Sequence, residues 1–285
     1  MGSGWHEWPL ALFTVLGQCV VGGVIITGLA WLSAQDDRAK QQRIVRAMFF
    51  LWALMGMGFL ASTMHMGSPL RAMNALNRLG HSALSNEIAG GILFFAVGGG
   101  WWLLAVLRIM PAALGKPWLF ATMALGVMFV WLMSRVYLID TVPTWNNGYT
   151  ALGFFMTVLL AGPLLAVTLL SGARFTFNGG KFAVLSGAAM LLSLGAALMQ
   201  GMALMGIHSS VQQATMLVPD YGSLQVWRLV LLGLGLGCWI CPLVRSKPPK
   251  TAVLAVGFML VLAAELIGRG VFYGLHMTVG VAVAG

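Results

Sequence analysis

Residues 10–32, LALFTVLGQCVVGGVIITGLAWL, form an apolar run of 23 residues without one charged side chain. About 20 such residues are needed for a helix to cross the hydrocarbon core of a bilayer. The run is apolar all round rather than striped, as a helix surrounded by lipid or by other helices should be. Seven comparable runs follow, at 47–66, 88–107, 118–137, 152–170, 182–201, 226–244 and 252–277. The expected fold class is an all-α integral membrane protein, a single domain built as a bundle of eight transmembrane helices. Strands are not expected, because sheet spans a membrane only as a closed barrel and the alternation a barrel needs is missing. No internal repeat, low-complexity tract or dividing linker interrupts the 285 residues.

Composition agrees. The chain is 59% hydrophobic and 8% charged, whereas about a quarter of a soluble domain is charged. A mean hydropathy of +0.89 and 37 glycines fit a polytopic protein, since spanning helices tolerate glycine. The net charge of +9 does not signal nucleic acid, because the basic residues sit in short clusters between apolar runs, not along one face. The opening MGSGWHEWPL lacks the positive region of a secretory signal, so no cleavage is expected. It begins like a myristoylation pattern, but His6 replaces the required Ser or Thr. Cys19, Cys238 and Cys241 lie within apolar runs and read as small hydrophobes. The CxxC spacing of Cys238 and Cys241 inside one such run is weak support for metal or redox work.

The basic clusters write the topology. Linkers after the first, third, fifth and seventh runs hold Arg38, Lys40, Arg43 and Arg46; Arg108 and Lys116; Arg174 and Lys181; and Arg245, Lys247 and Lys250, eleven of the sixteen Lys and Arg residues. The positive-inside rule then puts both termini outside, in the periplasm of a Gram-negative cell. His6, His65, His81, His208 and His276 all fall on that outer side. So do Trp5, Trp8, Trp145, Tyr149 and Tyr221, which an interfacial aromatic belt explains.

The long outer linker is the densest polar island: residues 62–91 read STMHMGSPLRAMNALNRLGHSALSNEIAGG. His65 closes the second run just before Gly67, Ser68 and Pro69, the proline marking the helix end. It either bonds an interfacial carbonyl or takes a proton from a hydroxyl near neutral pH, as oxidation of a hydroquinone requires. Glu87 opens the third run behind Ser85, read here as the N-cap, where an acid suits the helix dipole. An antiparallel second and third helix would bring Glu87 to the same face as His65, to orient the imidazole or relay a proton. Arg71, Asn74, Asn77 and Arg78 fit a short interfacial helix facing lipid phosphates or an acidic partner.

In the last run, Glu265 and Arg269 lie four apart and share a face, so they are expected to pair, as structure or as part of a proton path or quinone pocket. Gly270 and Gly274 add a small-xxx-small face for close packing. Arg135 has Asp140 and Glu265 as candidate partners. Two haems stacked across a bilayer would need histidines at both depths, and none lies toward the cytoplasm. A single outer haem between His65 and His276 has nothing further in its favour. No zinc spacing, phosphate loop or nucleophile elbow is present.

The segments MGSGWHEWPL, HMGSPLRAMNALNRLG, ALSNEIAGG, IDTVPTWNNGY, IHSSVQQATMLVPDYGSLQVWR and ELIGRGVFYGLHMTVG resemble, nearly end to end, the membrane anchor subunit of the bacterial dimethyl sulfoxide reductase family. The match is nearer to the paralogous anchor of the selenate-type reductase. The resemblance implies an eight-helix subunit of the inner membrane with no cofactor or metal of its own, which oxidises menaquinol in anaerobic respiration. It implies a heterotrimer on the periplasmic side, with an iron–sulfur subunit and a catalytic subunit carrying molybdopterin guanine dinucleotide. It also implies that His65 and Glu87 belong to the quinol site. Ser68 and Arg71, in the same stretch, are expected to help bind the quinol, and Glu265, Arg269, Arg135 and His276 stay candidates for structure or proton transfer. Rival readings are a secondary transporter lined by Glu265, Arg269 and Arg135, which commonly shows repeated halves not seen here, and an anchor with no redox part.

Overall fold

The computed structural model describes residues 3–64, 74, 76–176, 178–208 and 213–279. Among these there are nine α-helices: α1 Trp8–Ser33, α2 Arg38–Ala47, α3 Phe49–Met64, α4 Ala83–Val106, α5 Ala112–Arg135, α6 Gly148–Gly172, α7 Gly180–Leu204, α8 Tyr221–Val244 and α9 Thr251–Gly274. Only an isolated bridge, His208 with Gln213, represents extended pairing there. Eight helices are long and apolar enough to cross a membrane, with α2 and α3 counted as one span and α1 extended by a 3-10 turn to Gly4. The α2 segment is polar, is capped by Asp37, whose side chain accepts from the Lys40 N–H, and buries only Ile44 and Val45. It therefore leads into the second span from the surface.

Helix α1 is the axis of the bundle. It is buried along most of its length and packs against α3, α5, α6 and α9. Its approach to α6 depends on two glycines: a Cβ on Gly22 would overlap the backbone at Val158 and Gly162, and one on Gly162 would overlap Gly22. Such small-residue contacts let helices come close where apolar burial cannot drive them together, because lipid is as apolar as the interface. On the outside, Val184, Leu191, Leu198 and Met202 of α7, Val226 and Trp227 of α8, and Phe120 and Trp131 of α5 are exposed, as a lipid-facing girdle should be.

Polar contacts show which linkers share an end. Gln42 donates to the carbonyls of Ala105 and Val106, at 3.2 and 3.0 Å, and Arg43 to that of Arg174 at 3.4 Å. Lys116 donates to Gln35 at 2.6 Å, and Ser171 meets Thr251 at 2.7 Å. The basic linkers thus gather at one end. At the other, the Tyr137 and Tyr273 hydroxyls meet at 2.6 Å, the Trp145 indole donates to the Phe272 carbonyl at 2.7 Å, and the Val279 N–H donates to Thr141 at 2.8 Å. The face of α9 at Gly270 and Gly274 accepts the 3-10 turn that extends α1, with Gly4 and Trp5 against it.

Candidate functional site

Glu87 lies at this second end. Helices α3 and α4 meet through rings, Phe59 with Phe95 at 5.6 Å and Trp52 with Phe94 at 5.5 Å, and Gly91 faces Phe59 on one side and Phe129 of α5 on the other. One turn nearer the helix start, Glu87 is buried, 5% exposed. Its Oε1 has no hydrogen-bond partner among the described residues. The cap is not Ser85. Helix α4 begins earlier, at Ala83, and Ser82 caps it by accepting from the Ser85 N–H at 3.4 Å. Glu87 therefore sits in the second turn, with less of the free N–H field that would hold a first-turn acid.

Across the bundle a second set of ionisable groups is buried. Glu265 is 3% and Arg269 is 6% exposed. The Glu265 Oε1 accepts from Arg228 Nη2 of α8 at 3.0 Å and from its Nε at 3.3 Å, and its Oε2 accepts from the Thr157 hydroxyl of α6. Arg228 fits because residue 268 is glycine: a Cβ there would stand 2.6 Å from the Arg228 Nε. Arg269 turns the other way. Its Nη2 donates to Gln18 Oε1 of α1 at 2.9 Å, and its guanidinium lies 3.7 Å over the Phe154 ring and 5.5 Å from that of Phe272. The Gln18 amide is itself oriented by Met133 of α5, 3.4 Å away. Between α6, α7, α8 and α9 is a cavity of about 60 Å³, lined in part by Thr157, Gln200, Gln225, Arg228, Glu265 and Arg269. That is room for a few water molecules among polar partners.

A larger cleft of about 520 Å³ lies at the basic end, bounded by Arg174, Trp239, Lys247 and Leu254. The ionisable side chains on it are exposed. Among the described residues no group of three or more His, Cys, Asp or Glu is placed to hold a metal ion.

The sequence profile of the family described as DMSO reductase anchor subunit (DmsC) matches residues 1–275. The protein is 64% identical over 285 residues to the YnfH subunit of anaerobic dimethyl sulfoxide reductase from Escherichia coli (strain K12), covering 100% of both. It is 57% identical over 288 residues to the C subunit of anaerobic dimethyl sulfoxide reductase from the same strain, again over 100% of both. The corresponding C subunit from Haemophilus influenzae is 39% identical over 286 residues and 100% of each sequence. This chain belongs to the DMSO reductase anchor subunit family.

Several sequence expectations for this anchor subunit change in three dimensions. Glu265 and Arg269 share a face of α9 but do not pair, because Arg228 and Gln18 reach them from opposite sides. Arg135 pairs with neither candidate acid. It is exposed, 5.9 Å over the Trp131 ring, while Asp140 accepts from Asn146. His276 is exposed and lies against Trp145, with ring centroids 4.6 Å apart, not at the polar cavity. Of the expected interfacial helix, residues 76–78 form a 3-10 turn. His65, Ser68 and Arg71 lie outside the described residues. Sequence reading missed Arg228, Gln18, Thr157 and the Tyr137–Tyr273 pair. Arg228 carried a usable signal, being a cation three residues inside an apolar run and so in need of a buried partner.

Proposed function

We propose that this anchor subunit is the quinol-oxidising member of its complex, taking electrons from menaquinol and passing them to an iron–sulfur partner subunit that serves a molybdenum-containing catalytic subunit. The observation that carries the reading is the buried Glu87 carboxyl with an oxygen that no group of the described chain satisfies. An unpaired polar atom out of water costs about 1–3 kcal/mol, and a hydroxyl donor entering from the lipid would relieve it. Glu87 also lies at the end of the bundle where α3 ends, at Met64. Oxidising one quinol to quinone releases two electrons and two protons. His65 accepts one proton and Glu87 the other, while Ser68 and Arg71 hold the headgroup, and the electrons leave to the partner's clusters.

The gathering of basic linkers at the opposite end supports an orientation in the inner membrane with that end cytoplasmic and Glu87 periplasmic. Protons and electrons then leave on the same side. The complex reconstituted in proteoliposomes should therefore reduce its acceptor without building a membrane potential, and a sizeable potential would contradict the assignment.

The direct test is Glu87→Gln and His65→Arg in the assembled complex in membranes. Quinol-driven reduction should fall by about 100-fold or more, in line with loss of a proton acceptor, while reduction driven by a viologen dye stays intact. Full quinol-driven activity in both variants would leave this chain a structural anchor only.

A further inference from the structure

The cleft of about 520 Å³ at the basic end has no part in the quinol reading. It opens where α6 and α8 end and α9 begins, the depth at which spanning helices leave the hydrocarbon for the phospholipid headgroups. Its floor is apolar: Leu170, Trp239 and Leu254 are buried there, and Leu243 of α8 is half-buried. Its rim is basic, with Arg174 from the linker after α6 and Lys247 from the linker after α8, both exposed. No acidic side chain is among the described residues that line it. Eleven of the sixteen Lys and Arg residues gather at this end against two of the seven acids, Asp36 and Asp37, and Asp37 is engaged by Lys40. Among the described residues neither rim cation has a carboxylate partner. The two helix ends are shaped alike. The Phe175 N–H donates to the Leu170 carbonyl and the Lys247 N–H to the Pro242 carbonyl, each at 2.9 Å. This closure puts the residue before the donor in the left-handed region, where glycine is usual. Arg174 and Ser246 hold those places, each at φ 53°, and both line the cleft. Arg43 of α2 donates to the Arg174 carbonyl at 3.4 Å, which brings a third cation to the same linker.

We propose that this cleft binds one anionic phospholipid, its phosphate between Arg174 and Lys247 and an acyl chain over Trp239, Leu243 and Leu254. Charge alone would suit any anion, and the floor decides among them. A free phosphate leaves the apolar floor without a partner, whereas a phospholipid brings phosphate and hydrocarbon on one molecule. Basic pockets between spanning helices are where such headgroups are held. Arg174 and Lys247 can both donate charge-assisted hydrogen bonds to phosphate oxygens. The headgroup must carry net negative charge, because a zwitterionic one would bring its own cation toward Arg174, Lys247 and Arg43. The bound lipid would also join the α6–α7 linker to the α8–α9 linker and neutralise the repulsion between their cations. The claim is independent of the quinol reading.

The site is tested on the whole complex in mild detergent, stripped of lipid and then offered phosphatidylglycerol or phosphatidylcholine. Bound lipid is counted by native mass spectrometry. The unmodified complex should retain phosphatidylglycerol in preference to phosphatidylcholine. Arg174→Gln/Lys247→Gln should retain one phosphatidylglycerol fewer, with an affinity at that site lowered about tenfold or more, as loss of two cations near an anionic headgroup implies. Both side chains are exposed, so the substitutions should leave folding unchanged. Arg38→Gln/Lys116→Gln removes the same charge from this end without touching the cleft and should bind as the unmodified complex does. Inorganic phosphate at the concentration of the lipid should not displace it. Equal losses in the two double variants would show general attraction to a basic surface and overturn the site. So would unchanged binding in Arg174→Gln/Lys247→Gln, equal retention of phosphatidylcholine, or displacement by inorganic phosphate.

Discussion

At the basic end of the bundle Arg38, Arg43, Arg46, Arg108, Arg174 and Lys247 stand exposed, and the Lys40–Asp37 ion pair there joins side chains 49% and 40% exposed. At the opposite end the Arg228–Glu265 pair joins side chains 13% and 2% exposed, and Arg269 and Glu87 are buried. The same residue types thus serve two purposes. Exposed charges keep their water, gain little from any single partner, and act through their number and their side of the membrane. Buried charges have given up their water, so each depends on particular partners, and where a partner is missing the site is open to chemistry. This contrast is why the proposed function is placed at the end poorer in charge.

The largest effect that tests the contrast is at the buried pair. Glu265→Leu alone leaves the Arg228 guanidinium without its carboxylate and should cost about 3–5 kcal/mol, read as thermal unfolding of the complex in detergent. Arg228→Leu/Glu265→Leu together should recover most of that loss. A double variant no more stable than the single one would show that the pair does not work as a unit. An intermediate effect is expected from Gln18→Leu, which removes the acceptor of the Arg269 Nη2 hydrogen bond and should cost about 1–3 kcal/mol. The smallest effects belong to the basic end. Lys116→Ala removes only an exposed bond to Gln35 and should change stability by no more than about 0.5 kcal/mol, with quinol-driven activity unaltered. A loss there as large as that of Glu265→Leu would abolish the distinction between the two ends.

Acid pH probes the same contrast. The Lys40 N–H, first, and its side chain hold the Asp37 carboxyl below the ordinary carboxylate range. A lowered value in the folded chain means the cap contributes above the unfolded value and is lost as pH falls through the lowered one. Asp37 is exposed at the start of a short surface helix, so fraying should stay local to α2.

The buried acids of the candidate site stood out in the sequence because such residues are rare in this chain. Glu87 and Glu265 are two of seven acidic residues, and an acid beside or within an apolar run has few bland explanations. What went unread were the partners. An i,i+4 spacing establishes that Glu265 and Arg269 share a helix face, and says nothing of what the neighbouring helices offer. Arg228 from α8 and Gln18 from α1 are closer than the residue one turn away, so they win. The cap of α4 was misplaced by three residues for a similar reason: both serines suit an N-cap, and the direction of the incoming chain selects Ser82.

Sequence by itself determined the membrane class, the eight spans and the segregation of basic linkers. These follow from local quantities, since length, hydropathy and charge count are properties of one segment in one solvent. Only the tertiary structure decided that Arg228 neutralises Glu265, that Arg269 rests on Gln18 and Phe154, and that the Tyr137 and Tyr273 hydroxyls meet. Those contacts join residues up to 251 positions apart. They depend on where α1, α6, α8 and α9 cross, which is set by close approaches such as Gly22 with Gly162. In a lipid environment nearly any apolar face suits the exterior of a span, so packing of small residues and pairing of buried polar ones are what select a single arrangement.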